Sequence, residues 1–251
     1  MKSIVLCDNG KPDKVLPLCE KHNFGIEMQA FFDTNDMEST EARIASYKGI
    51  LPKNIEKYLH APCWDLCLGS ANKKIVEVTR FYFDYAYDIA EKLGCSGIVV
   101  HHGYVPNTSH PPAWIKRAVA FWQDFFVSHP GNVKMFMENL TERTADMFPE
   151  IVDICQTERL AVNLDIGHAH FSGLPVLDWI KQFNRRIKYV HLHQNGGTSD
   201  EHLGLRKGTM KIVDVLNALE EHAPEAVWAL ECSLDDMEDS IALLSEYGFM
   251  E

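Results

Sequence analysis

The chain has 251 residues, 46% of them apolar and 24% charged, which is long enough and apolar enough for a sizeable buried core. A formal charge of −12 with no basic run disfavours a broad phosphate-tracking surface, so nucleic acid is an unfavoured but open partner. No stretch approaches the ~20 unbroken apolar residues of a membrane span. The first apolar run meets Asp8 at once, too short for a signal peptide. Seven cysteines without a C-x-x-C pair read as free thiols, and the expected location is the cytoplasm.

Short apolar runs alternate with longer helical patterns along the whole chain. The runs are Ile4–Cys7, Gly25–Phe32, Tyr58–Cys63, Gly97–His101, Val133–Glu138, Leu160–Ile166, Ile187–His193 and Ala226–Cys232. Near-continuous apolar runs of this length suit parallel strands buried on both faces. The stretches Pro12–His22 and Glu38–Lys48 carry weak helical patterns. Asn72–Leu93 is stronger, with Ile75, Val78, Tyr82, Tyr85 and Ile89 on one stripe and Gly94 as a C-cap. Pro111-Pro112 opens a helix over Ala113–Val127. Thr144–Gln156, Pro175–Phe183, Thr209–His222 and Asp236–Tyr247 complete the set. Strict alternation predicts a parallel sheet with crossover helices. Eight units predict closure into one (β/α)8 TIM barrel over residues 1–251. Cys7-Asp8-Asn9-Gly10 is a poor phosphate-binding turn, which counts against an open doubly wound sheet.

In such a barrel, polar residues ending strands face the catalytic mouth. The third to eighth runs each end in a potential metal ligand: His60, His101, Glu138, Asp165, His191 and Glu231. His168, Asp200 and His202 lie just beyond strand ends. Singly, each suits a helix cap or a hydrogen-bonded loop residue. Together they converge on one axial pocket, where several carboxylates would repel unless a divalent cation were present. His193, two residues past His191, shares its face of the strand. His102 points the other way and reads as structural.

The set His60-Ala61-Pro62-Cys63-Trp64-Asp65-Leu66, His101-His102-Gly103-Tyr104, Glu138-Asn139, Asp165-Ile166-Gly167-His168, His191-Leu192-His193 and Asp200-Glu201-His202-Leu203-Gly204 resembles the xylose-isomerase-like barrel superfamily. This superfamily takes in sugar and sugar-phosphate isomerases and epimerases, and the endonuclease IV class of AP endonuclease family 2. The resemblance implies a four-ligand metal core of Glu138, Asp165, His191 and Glu231. It implies extra ligands at His60, His101, His168, Asp200 and His202 if three zinc ions are held, as in the endonuclease branch. One Mn²⁺, Co²⁺, Mg²⁺ or Zn²⁺ is the expectation.

The expected activity is isomerisation or epimerisation of a small sugar or sugar phosphate through an enediolate, with Glu138 and Glu231 moving the proton. Trp64, His168 and His193 are the expected substrate contacts. Arg206 and Lys207, beside a helix predicted to start with Thr209 as N-cap, form an expected phosphate site. An endonuclease IV-like multi-zinc phosphoesterase is the alternative, and a non-catalytic metal- or sugar-binding barrel the third reading. The sequence leaves room for a homo-oligomer.

Overall fold

The computed structural model describes residues 2–140 and 142–250; the predicted 1–251 span also takes in Met1, Thr141 and Glu251, which lie outside the described residues. Eight parallel strands close into a barrel in sequence order, with β8 returning to pair with β1. The strands are β1 (Ile4–Cys7), β2 (Gly25–Met28), β3 (Lys57–His60), β4 (Gly97–His101), β5 (Lys134–Glu138), β6 (Leu160–Asp165), β7 (Ile187–Leu192) and β8 (Val227–Leu230). Around them run α1 (Pro12–His22), α2 (Thr40–Ile50), α3 (Lys73–Leu93), α4 (Pro111–Ser128), α5 (Met147–Cys155), α6 (Ile166–Phe171), α7 (Val176–Phe183), α8 (Ile212–His222) and α9 (Met237–Glu246).

The helix boundaries have local causes. Asn72 caps α3 by accepting the Lys74 N–H at 3.0 Å, and Gly94 ends it at φ +69°, where a side chain is disfavoured. Prolines at the first two positions open α4, where a missing N–H costs nothing. The predicted start of α8 at Thr209 is corrected: the helix begins at Ile212. The Thr209 hydroxyl faces His170 Nε2 at 2.8 Å instead of capping it. Helix α6, directly after β6, has no counterpart in the sequence reading.

Side chains alternate across each strand, so residues two apart share a face. The barrel interior holds Val5, Tyr58, Val99, Phe136, Ala161, Tyr189 and Ala229. Phe136 and Tyr189 stack at 5.1 Å between ring centroids, and Tyr58 leans on Tyr189 at 4.8 Å. These rings fit because β4 starts with Gly97; a Cβ there would stand 2.3 Å from the Phe136 ring. Two residues further along six of these strands, the same inward face turns polar, at His60, His101, Glu138, Asn163, His191 and Glu231, whereas β1 continues with Cys7. The apolar plug is thus the floor on which the polar cluster stands. The outward faces pack on the helices through Leu6, Ile26, Leu59, Ile98, Met137, Val162, Val190 and Leu230. Among the described residues no helix is long and apolar enough to cross a membrane.

Candidate metal centre and pocket

The strand ends bring the predicted ligands together. Among the described residues five groups of ligand atoms, each within 4.8 Å of one another, gather at and below the barrel mouth: Glu138, Asp165 and His191; His60, His101 and Glu138; His193, Asp200 and His202; Asp165, His193 and Glu231; and Cys7, Glu27, His191 and Glu231. Glu231 joins the first group through its Oε2, 3.0 Å from His191 Nδ1. Glu138 Oε2 lies 3.3 Å from the same nitrogen and Asp165 Oδ2 3.6 Å from it. His168 Nδ1 stands 3.1 Å from Glu138 Oε1, and its Nε2 stands 3.3 Å from Asp200. Glu138 therefore belongs to two groups, and His168 links the first to the third.

Local structure fixes these side chains. Asp165 is the N-cap of α6, accepting the His168 N–H at 2.7 Å. The motif Asp-x-x-His is thus a helix start that turns both residues toward one cluster. Asn139 ties the ends of β5 and β6: its amide donates to the Asp165 carbonyl and accepts the Asp165 N–H, both at 2.9 Å. Asn163 donates to Glu138 Oε2 at 3.0 Å and faces His191 Nδ1 at 3.2 Å. His202 adopts φ +48°, a conformation uncommon for a residue with a side chain, and its Nδ1 meets the Glu231 carbonyl at 2.8 Å.

The protonation pattern follows from the crowding. Burial would raise the Glu138 and Asp165 carboxyls, but the surrounding imidazoles outweigh it. His101 and His191 hold Glu138 far below the usual range, and His168 and His193 do so for Asp165. Burial would lower His191 and His168, yet the carboxylates push both well up. His202 rises to about 10 against its own burial, through Asp200 first. Protons on imidazoles thus balance the carboxylates where a divalent ion's charge would do so.

The donor set fits such an ion. Three carboxylates and an imidazole form the hard, oxygen-rich core that Mn²⁺, Mg²⁺, Co²⁺ and Zn²⁺ accept. Glu231 Oε2 is buried and accepts no hydrogen bond, although it lies beside His191 Nδ1, and the same holds for Asn163 Oδ1. Buried oxygens that accept nothing are costly unless a cation or another donor meets them.

Above the cluster opens a cavity of about 780 Å³ lined by Asn9, Gln29, Phe32, His60, Cys63, Trp64, Asp65, His101, Glu138, Leu140, His168, Asp200, His202 and Glu231. Trp64 is half exposed at its rim and meets Phe32 edge-on at 5.4 Å. No lysine or arginine occurs among these described lining residues.

Three of the expected substrate contacts lie elsewhere. His193 is fully buried behind Asp165, its Nε2 3.0 and 3.1 Å from the two carboxylate oxygens, with its ring stacked on His202 at 4.2 Å. It braces Asp165 and is not among the described residues that line the cavity. Arg206 pairs with Glu246 at 2.6 Å and Asp239 at 3.3 Å, and Lys207 pairs with Asp236. Both cations are tied to α9 and the turn before it. Neither cation is among the described residues that line the cavity. His102 is structural, as its position on the strand predicts: it packs on Trp114 and Phe148 and faces Glu142 at 3.2 Å.

Glu27, buried against His191 below the cavity, and Gln29, which lines it, escaped the sequence reading. Glu27 and Gln29 lie on one inward face of β2 and its extension, hidden in a run read as apolar. The available signal was the charge itself, since a carboxylate inside a buried strand must have a partner.

Residues 14–247 match the family model described as xylose isomerase-like TIM barrel. A probable endonuclease 4 of Mycobacterium ulcerans is 26% identical over 202 residues, covering 75% of this chain and 77% of its own. A D-tagatose 3-epimerase-like protein superposes with a TM-score of 0.78 at 22% identity, covering 98% of this chain and 97% of its own. The IOLI protein, solved with a bound zinc atom, gives 0.77 at 17% identity, with 98% of each chain covered.

Proposed function

The chain belongs to the xylose isomerase-like TIM barrel family, and on that premise we propose that it is a divalent-metal-dependent isomerase or epimerase of a small sugar or sugar phosphate. The observation that carries this reading is a pair of buried carboxylates, Glu138 and Glu231, that converge on His191 Nδ1 at the base of the cavity. The site is small and polar, has an aromatic rim, and no lysine or arginine is among its described lining residues.

Glu138, Asp165, His191 and Glu231 would hold the ion, which supplies Lewis acidity that weakens the C–H bond next to a sugar carbonyl. Glu138 from β5 and Glu231 beyond β8 approach the cavity from different sides of the barrel. One carboxylate takes the proton next to the carbonyl. The other delivers a proton to the opposite face of that carbon, giving an epimer, or to the neighbouring carbon, giving an isomer. Trp64 offers a flat apolar surface to the ring-hydrogen face of a sugar. His60, His101 and His202 present ring nitrogens toward hydroxyls. Seven unpaired cysteines support a cytoplasmic setting.

The test is proton exchange in D₂O with a panel of free ketoses and aldoses and added Mn²⁺ or Co²⁺. Deuterium should enter one carbon next to the carbonyl. Glu138→Gln and Glu231→Gln should each cut exchange by about 10²–10⁴-fold. Normal exchange in either variant removes that residue from proton transfer.

The His60–His101–Glu138 and His193–Asp200–His202 groups favour a second reading, a multi-zinc phosphoesterase like the endonuclease relative. Two or three zinc ions per chain with cleavage of abasic DNA would establish it. About one ion per chain with sugar turnover supports the first.

A further inference from the structure

Glu27 is fully buried on β2, and each of its oxygens is engaged. Oε2 lies 3.0 Å from His191 Nε2, and Oε1 accepts from the Gln29 amide at 3.2 Å. The same amide donates to Glu231 Oε1 at 2.6 Å. One carboxylate thus grips His191 directly and Glu231 through one intermediary. The opposite nitrogen of His191, Nδ1, faces Glu138, Asp165 and Glu231. The Asn163 amide nitrogen, which donates to Glu138 Oε2 at 3.0 Å, also lies 3.2 Å from that nitrogen.

A neutral imidazole has one N–H and one lone pair. An anion at Nε2 keeps the hydrogen there and leaves the lone pair on Nδ1, aimed at the cluster. We propose that Glu27 is a positioning residue of the metal centre, setting the ring orientation and tautomer of His191 and, through Gln29, the placement of Glu231. This rests on the reading of His191 as a ligand through Nδ1.

The experiment measures Zn²⁺ affinity by competition with a chromophoric chelator, and the Co²⁺ absorption spectrum, for the wild type, Glu27→Ala, Glu27→Gln and His191→Ala. Glu27→Ala should weaken Zn²⁺ binding by about 10–100-fold and alter the Co²⁺ bands. Glu27→Gln keeps an acceptor for the Nε2 hydrogen and should fall between it and the wild type. A purely structural role would lower the melting temperature and leave affinity and spectrum as they are, which overturns the proposal. If Glu27→Ala does not fold, Glu27→Gln decides: Zn²⁺ affinity and Co²⁺ bands equal to the wild type overturn it. Loss of metal in His191→Ala without loss in the Glu27 variants refutes only the positioning role. Wild-type affinity in His191→Ala refutes the metal centre beneath it.

Discussion

Gly167 shows how little freedom the ligand cluster leaves. It sits in the first turn of α6 between Asp165 and His168, and a Cβ there would stand 2.0 Å from His193 Cε1. The His193 ring is held from two sides, by Asp165 and by its stack on His202. It cannot yield without releasing Asp165. Gly167→Ala should therefore destabilise the fold by about 1–3 kcal/mol, the usual range for an overpacked interior. It should also weaken metal binding, because Asp165 loses its brace. Thermal melting and metal titration of the same preparation check both effects. Wild-type values in both would mean that the His193 ring swings aside freely.

Among the elements, the connection from β5 to α5 is tuned by a buried acid. Glu142 accepts the Leu140 N–H at 2.6 Å and faces His102. Burial pushes the Glu142 carboxyl from 4.5 up to about 7, and burial pushes His102 down to about 3. The folded chain therefore holds the Glu142 proton more tightly than the unfolded chain does. That contribution to stability falls as pH rises from 4.5 through about 7. Glu142→Gln keeps an acceptor for Leu140 without the charge. Its melting temperature relative to the wild type should climb between pH 5 and pH 8; a constant difference would show that Glu142 ionises freely. The strands were the most legible elements, because parallel strands covered on both faces leave apolar runs that nothing else in the chain imitates. Helix α6 was not legible, since Ile166-Gly167-His168-Ala169-His170-Phe171 is too short for a period and is started by Asp165, a strand-end residue acting as its cap. The ion pairs of Arg206 and Lys207 were hidden for a related reason. Their acidic partners on and before α9 lie about 30–40 residues away, and only the closed barrel brings them into reach.

For the whole molecule, barrel closure creates the electrostatic problem that the ion would answer. Strands far apart in sequence deliver Glu27, Glu138, Asp165 and Glu231 to one desolvated layer, directly above the Phe136–Tyr189 plug. The sequence showed this convergence because the six ligand-type residues end successive strands, whereas the extra carboxylate of β2 was masked by its apolar neighbours. In the metal-free chain, protons on His191 and His202 offset these charges. Both imidazoles have folded pKa values raised above the unfolded 6.5, so their support is complete below 6.5; for His202 it is lost as pH passes about 10. A bound ion supplies its charge without those protons, and ligation of His191 must displace one. Metal should therefore stabilise the chain more at pH 9 than at pH 6, and loading at pH 7 should release protons into a weak buffer. At a metal concentration of about 100 Kd the linkage is worth about 2.7 kcal/mol, or roughly 5–10 °C in melting temperature for a domain of this size. Calorimetric melts with Mn²⁺, Zn²⁺ and excess chelator at the two pH values measure both the shift and its slope. A melting temperature indifferent to metal and chelator at both would mean that imidazolium protons alone hold the carboxylates together, and that the barrel mouth is an ion-paired core rather than a metal centre.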